Sequence, residues 1–247
     1  LIPSAENTGV IFVREDLENA EIPALVKYVN RTDRQTILEN GEASVGTVEH
    51  LMASLYALGI DNLRIELDGS EVPILDGSAA PLVDLILEAG IEEQSVEKNF
   101  YVLEETFTFK DEDGSEIMAL PSEEFEVSAL IDYGSSVLGP QHAHLDKMVN
   151  FRDEIASART FSFLRELEPL LDAGLIKGGD LNNAIVYVDQ DIAPSTLDKL
   201  KTAFGRDDVE VTQRGTLNNI NLRFSNEAAR HKLLDVIGDM ALLGRPL

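Results

Sequence analysis

From Asn226 to Gly244 the chain places apolar residues at helical spacing. Leu233, Val236, Ile237, Met240, Ala241 and Leu243 share one face, Ser225 or Asn226 suits an N-cap, and Gly244 closes the segment ahead of Pro246. A second segment of this kind runs from Gly46 to Gly59, with Thr47 as N-cap, Gly59 as C-cap and a strong apolar stripe between them. Branched or alternating stretches predict strands over 9–14, 25–29, 36–38 and 62–67, and a helix over 81–88 ends at Gly90. Residues 92–99 are polar and acidic and interrupt the pattern. Beyond them strands are expected over 100–103, 107–109, 116–120, 126–131 and 146–151, followed by a helix opening at 151–158. The short aromatic strip 158–163 leads to a helix over 164–173, a bend at Gly178-Gly179, a branched strand over 184–188 and a polar helix over 196–204. An extended stretch, 215–224, then feeds the final helix.

This order of strands and helices reads as one α+β plan used twice. The boundary falls in the acidic stretch, giving an N-terminal domain over 1–97 and a C-terminal domain over 98–247, the latter with a βαβ-like insert at about 163–190. Each half carries a histidine just inside an apolar helix, in Glu49-His50-Leu51-Met52 and in Arg230-His231-Lys232-Leu233.

Composition narrows the function classes. With 247 residues and 44% hydrophobic content the chain can bury ample core. The absence of cysteine excludes disulfides, thiolate metal sites and thiol nucleophiles. A formal net charge of −25 argues against nucleic-acid binding, which needs a basic footprint. It fits either an ordinary solubilising acidic surface or adaptation to high salt. No stretch has membrane-spanning length and no N-terminal signal is present, so a soluble, cytoplasmic protein is expected. The chain starts at Leu1-Ile2-Pro3 without Met and stops at Leu247 just after a helix, and both ends read as cut.

The candidate chemistry rests on four histidines: His50, His142, His144 and His231. His142 and His144 alternate along one segment and read as a surface pair more readily than as a metal site. His231 and Asp235 are four apart on one helix face, which suits either a polar surface pair or two ligands of a borderline cation. If the two apolar helices pack together, His50, His231 and Asp235 supply three ligands and leave a fourth position open, as in catalytic zinc sites. Glu49, beside a ligand, would then be a general base. The competing reading of Glu49-His50 is a solvated helix terminus. No Gly-x-Gly-x-x-Gly after a strand, no Walker loop and no Gly-x-Ser-x-Gly elbow is present.

Five segments taken in order carry a more specific likeness: Thr47-Val48-Glu49-His50-Leu51, Asp61-Asn62, Glu71 to Ser78, Ala158-Arg159-Thr160-Phe161 and Arg230 to Asp239. In these the chain resembles the zinc-dependent UDP-3-O-acyl-N-acetylglucosamine deacetylases of lipid A biosynthesis, over nearly its whole length. The resemblance implies hydrolysis of the N-acetyl group of a UDP-linked acylated glucosamine, with release of acetate. It implies zinc held by His50, His231 and Asp235, with Glu49 as the base that deprotonates the attacking water. Thr160 would stabilise the oxyanion, Phe161 would lie against the sugar, and Lys232 would meet the diphosphate or sugar. Asp239 and Asp76 would be carboxylates that orient these groups, Asp239 being counted with the catalytic set. The insert would form an apolar acyl passage lined by Leu167, Ile176, Gly179, Leu181 and Val186, although ordinary core explains each of these aliphatics as well. The implied fold packs the helices between two sheets, with the site at the domain junction. The family's N-terminal Gly-Leu-His element and its C-terminal Gly-His would lie outside this chain, so zinc binding with poor turnover is expected. The spacing of residues 212–219 is similar to versions fused to a hydroxyacyl-carrier dehydratase, which would follow Leu247. A different zinc amidohydrolase acting on an acylated sugar, or an inactive fragment of the deacetylase, are the competing readings.

Overall fold

A computed structural model of the protein describes residues 1–32, 34–167, 183–205, 207, 209–210 and 215–247. The first half builds two small sheets. Strands β1 (Ile2–Pro3), β2 (Val10–Arg14), β3 (Ala20–Pro23) and β7 (Leu63–Leu67) form a sheet in the order β1-β7-β2-β3. Strands β4 (Val29–Arg31), β5 (Ile37–Asn40) and β6 (Ala43–Val45) form an antiparallel second sheet. Helices α1 (Glu49–Ala57) and α2 (Ala80–Ala89) pack on each other. Phe12, Ile22, Leu38, Val45, Leu55 and Ile65 are the buried centre of this half, and Leu242 from the far end of the chain joins them.

In the second half β8 (Phe107–Lys110) and β9 (Glu116–Ala119) form a largely exposed hairpin. Strand β10 (Val127–Ile131) pairs antiparallel with β11 (Gln141–Leu145), and α5 (Glu227–Ala241) packs on both. A short helix, α3 (Phe151–Glu154), precedes β12 (Phe161–Phe163). β12 pairs parallel with β13 (Ile185–Val188), and β14 (Gly215–Thr216) pairs antiparallel with β13. Helix α4 (Pro194–Phe204) covers part of this sheet, whose apolar face buries Leu164, Val186, Val188, Leu200 and Leu217. The fold is α+β, as its alternating and helical patterns indicate. One apolar cluster joins Ala53, Ala79 and Val83 to Leu145, Phe163, Leu233 and Ile237, so the core runs through both halves. Residues 90–106 form neither helix nor strand.

Several local expectations are corrected. Residues 26–28 form a 3-10 turn before β4 rather than a strand, and 100–103 form no strand. The strand expected over 146–151 lies earlier, at Gln141–Leu145, because its alternation starts there with Ala143 and Leu145 inward. Thr47 does not cap α1: its backbone is left-handed (φ 57°), and its hydroxyl meets Gln35 and Glu71 instead of a helix N–H. Asn226 makes no cap bond either; its amide donates to the His142 carbonyl and its oxygen accepts from Arg230. Leu243, expected on the apolar stripe of α5, is 41% exposed, because the helix has ended by Ala241.

Helices α1 and α5 approach closely at Gly238. A Cβ there would lie 2.1 Å from the Glu49 carbonyl oxygen and 3.0 Å from its Cα. Glycine inside a helix costs about 1 kcal/mol relative to alanine, so its place here is set by the crossing. Gly238→Ala is therefore expected to destabilise the protein by about 3 kcal/mol, the upper end for overpacking, because the obstacle is backbone. Urea denaturation of the two proteins would measure it, and an unchanged midpoint would contradict the close crossing.

Candidate metal centre

The crossing brings the two helical histidines together. His50 lies in the first turn of α1, His231 in the second turn of α5, and Asp235 one turn further on. The imidazoles meet edge to face, with centroids 4.9 Å apart and planes at 88°. Asp235 Oδ1 stands 3.4 Å from His231 Nε2 and 3.8 Å from His50 Nε2. One donor atom from each residue lies within 4.8 Å of the other two.

These residues fit a metal ion. Two ligands each about 2.0–2.1 Å from a tetrahedral zinc stand roughly 3.4 Å apart, close to the separations here. Asp235 Oδ1 is buried without a hydrogen-bond partner, while Oδ2 accepts from Lys232 Nζ at 2.9 Å. An uncompensated buried carboxylate oxygen is costly, and a cation removes that cost. His231 Nδ1 lies 3.0 Å from the Ala158 carbonyl. A carbonyl only accepts, so Nδ1 donates and Nε2 is turned toward Asp235.

The electrostatics suit the same use. Burial, together with the neighbouring His231, pulls the His50 pKa down to about 4, so the ring is neutral at pH 7 and free to ligate. Burial alone would raise the Asp235 carboxyl, but His231, Lys232 and His50 hold it below its usual range. Glu49 is 9% exposed, not a solvated helix terminus, and burial pushes its pKa up to about 7, with Asp235 and Asp239 adding to the rise. The Thr36 backbone N–H donates to Glu49 Oε2 at 3.2 Å, and the Thr36 hydroxyl donates to Asp239 Oδ1 at 2.9 Å. Asp239, which stays more exposed, is pushed up to about 6 by the water it loses and by Asp235. Lys232 stays protonated: loss of water lowers its pKa, and Asp235 more than restores it.

The other expected residues fall at different distances from this centre. Phe161, in β12, has its ring 5.8 Å from Lys232 Nζ and packs on Tyr133 and Tyr187. Thr160 continues from the strip that holds His231; its N–H donates to the Gly77 carbonyl at 2.7 Å. The charge of Asp76 acts on His50, favouring its protonated form. Asp76 accepts from Ser78 and forms an ion pair with Arg223 at 2.8 Å. Val186 is buried in the small cluster under α4, with Leu167 packed against it, as core residues are. Ile176, Gly179 and Leu181 lie outside the described residues. His142 and His144 point outward on β11, where His144 Nδ1 meets Ser128 Oγ at 2.8 Å.

Sequence reasoning missed Thr36 and Gly238. Thr36 has no motif, and only the fold sets it between two carboxyls. Gly238 had a signal, an isolated glycine within a helical pattern.

Known proteins place the chain. The family model described as UDP-3-O-acyl N-acetylglycosamine deacetylase matches residues 1–206 and 199–247. The chain is 48% identical over 247 residues to a Bacteroides thetaiotaomicron protein named bifunctional enzyme LpxC/FabZ, covering 99% of this chain and 54% of that one. A Porphyromonas gingivalis protein of the same name is 46% identical over 245 residues, with 53% of its length covered. The chain thus spans about half the length of these relatives. A Myxococcus xanthus protein named UDP-3-O-acyl-N-acetylglucosamine deacetylase is 43% identical over 249 residues, covering 100% of this chain and 71% of that protein. Matched from end to end by the family model, the chain belongs to the UDP-3-O-acyl N-acetylglycosamine deacetylases.

Proposed function

We propose that this chain carries the catalytic centre of a zinc-dependent deacetylase, which hydrolyses the N-acetyl group of UDP-3-O-acyl-N-acetylglucosamine in lipid A biosynthesis. The observation that carries the reading is Asp235 Oδ1, buried and unpaired between two imidazole nitrogens and beside a carboxyl with a pKa of about 7. His50, His231 and Asp235 would hold the ion. When bound, zinc would supply Lewis-acid polarisation of the amide carbonyl and a water acidified to a pKa of about 7.

The chain's own residues account for the remaining steps. Glu49 takes a proton from the attacking water as oxygen bonds to the acetyl carbon, a role its near-neutral pKa suits. The Thr160 hydroxyl donates to the developing oxyanion. The carbon–nitrogen bond then breaks, acetate leaves, and the proton held by Glu49 goes to the departing amine. Lys232, a retained cation in an acidic protein, attracts the diphosphate, and Phe161 is an apolar wall for the sugar. Asp239, tied to Thr36, helps hold Glu49 in a carboxyl-rich pocket that keeps a proton near neutrality. Leu167, Ile176, Gly179, Leu181 and Val186 are candidates to line an acyl passage. A fused dehydratase following this segment is supported by the names of the Bacteroides and Porphyromonas relatives. Among the described residues no helix is long and apolar enough to cross a membrane.

The test is acetate release from UDP-3-O-acyl-N-acetylglucosamine with zinc supplied, compared with the same sugar bearing a short acyl chain. Release from the long-chain substrate, falling as the chain shortens, is expected. Equal rates on both would favour a different zinc amidohydrolase. No release by a metal-loaded protein would favour a fragment that binds zinc without turnover.

A further inference from the structure

The peptide unit joining Ala158 and Arg159 touches α5 twice. Its carbonyl accepts from His231 Nδ1 at 3.0 Å, and its N–H donates to Glu227 Oε1 at 3.1 Å. A trans peptide points these two groups to opposite sides. Glu227 and His231 are four apart on one helix face, so a single peptide plane spans one turn of α5. Glu227 is 0% exposed and accepts three more bonds, from Arg159 Nε at 2.9 Å, Arg159 Nη2 at 3.3 Å and the Arg223 N–H at 2.6 Å. Arg159 Nη2 also donates to the Asn221 carbonyl at 2.9 Å. The backbone and the guanidinium of one residue thus converge on one buried carboxylate. The Ala158–Arg159 peptide cannot turn without breaking bonds where no water replaces them.

We propose that Arg159 and Glu227 are positioning residues for the metal centre. They lock the Ala158–Arg159 peptide so that its carbonyl keeps the proton on His231 Nδ1 and aims Nε2 at Asp235 and His50. The inference rests on the metal-site reading given above. Stability alone explains the pair poorly, because buried ion pairs are often replaced by apolar side chains without loss. A ligand whose second nitrogen must be held explains it, since such outer partners set the tautomer and ring orientation. The same strip continues into Thr160, whose N–H is bound to Gly77, so the lock also sets the register of the oxyanion donor.

The first measurement is the tautomer of His231 in the metal-free wild-type protein, read from nitrogen shifts of labelled histidine. A proton on Nδ1 is expected, and an Nδ1 that carries none overturns the proposal. Next, E227Q and R159K, checked for folding by circular dichroism, are titrated with Co2+ and followed by visible absorption. Both are expected to bind Co2+ about 10–100-fold more weakly than wild type, with altered band intensity. Ile22→Val, a core change in β3, serves as the control for general destabilisation and keeps the wild-type affinity. Wild-type affinity and spectrum in both variants would overturn the positioning role. Failure of the wild-type protein itself to bind Co2+ would instead remove the metal-site reading, and the proposal with it. If neither variant folds, the wild-type tautomer decides.

Discussion

His231→Ala abolishes metal binding and leaves a folded chain. Wild-type protein supplied with zinc is expected to retain about one ion per chain, since three protein ligands and one open position define such a site. The variant retains none, because two ligands 3.8 Å apart cannot hold the ion against water and chelators. Turnover falls with it. Lewis-acid stabilisation is worth several kcal/mol of the barrier, which is on the order of 10³-fold or more in rate. The fold persists because Leu233, Leu234 and Ile237 continue to anchor α5, and the imidazole contributes only part of the buried helix face. Elemental analysis after gel filtration, with circular dichroism of the same samples, is the measurement. A variant that keeps stoichiometric zinc would place the metal elsewhere. A wild-type protein that takes up none would remove the metal reading altogether.

Glu49→Gln separates proton transfer from metal binding. Zinc content should match wild type, because Glu49 is not among the three converging ligands. The rate should fall about 10²–10⁴-fold, the range for loss of a positioned general base. The same substitution stabilises the metal-free protein, with a pH dependence that can be signed. The Glu49 pKa rises from 4.5 to about 7 on folding, so the folded state holds this proton more tightly than the unfolded chain. The benefit is complete below pH 4.5, declines as pH rises, and is gone above about pH 7, where the folded protein carries a dehydrated carboxylate. That difference of about 2.5 pKa units corresponds to roughly 3 kcal/mol, since each unit is worth about 1.4. Glutamine carries no charge, so the metal-free variant should be the more stable by up to about 3 kcal/mol at pH 8 and show little advantage near pH 4.5. Urea midpoints of both proteins at the two pH values check this. Equal midpoints at pH 8 would show that Glu49 is ordinarily solvated and ill suited to serve as a base near neutrality.

Both effects arise from groups a fold normally avoids burying. Glu49, His50, His231 and Glu227 are each 9% exposed or less. Each is matched by a specific neighbour or waits for a cation, and helices α1 and α5 keep them dry because Gly238 lets the backbones meet.

The sequence by itself determined the local elements and the chemical inventory. Helical and alternating periodicity located α1, α2, α4, α5 and the strands β2, β5, β7, β8, β9, β10 and β13, because burial on one side leaves a period of 3.6 or 2 in the residue order. It also marked His50, His231, Asp235 and Glu49 as candidates, because motif spacing along one helix is a local property. Local reasoning failed where the chain's ends and turns were decided by distant partners. Thr47 and Asn226 have the right chemistry for caps, yet their side chains are taken by Glu71 and Gln35 and by His142 and Arg230. Whether His231 and Asp235 were a surface pair or part of a centre depended on α1, about 180 residues earlier in the chain. Only the tertiary structure decided that the two histidines meet at 4.9 Å, that Asp235 Oδ1 is left without a hydrogen-bond partner, and that the Ala158 carbonyl meets His231 Nδ1. The physical reason is that desolvation and hydrogen-bond satisfaction depend on what lies opposite in space, and sequence periodicity records only which way a side chain faces.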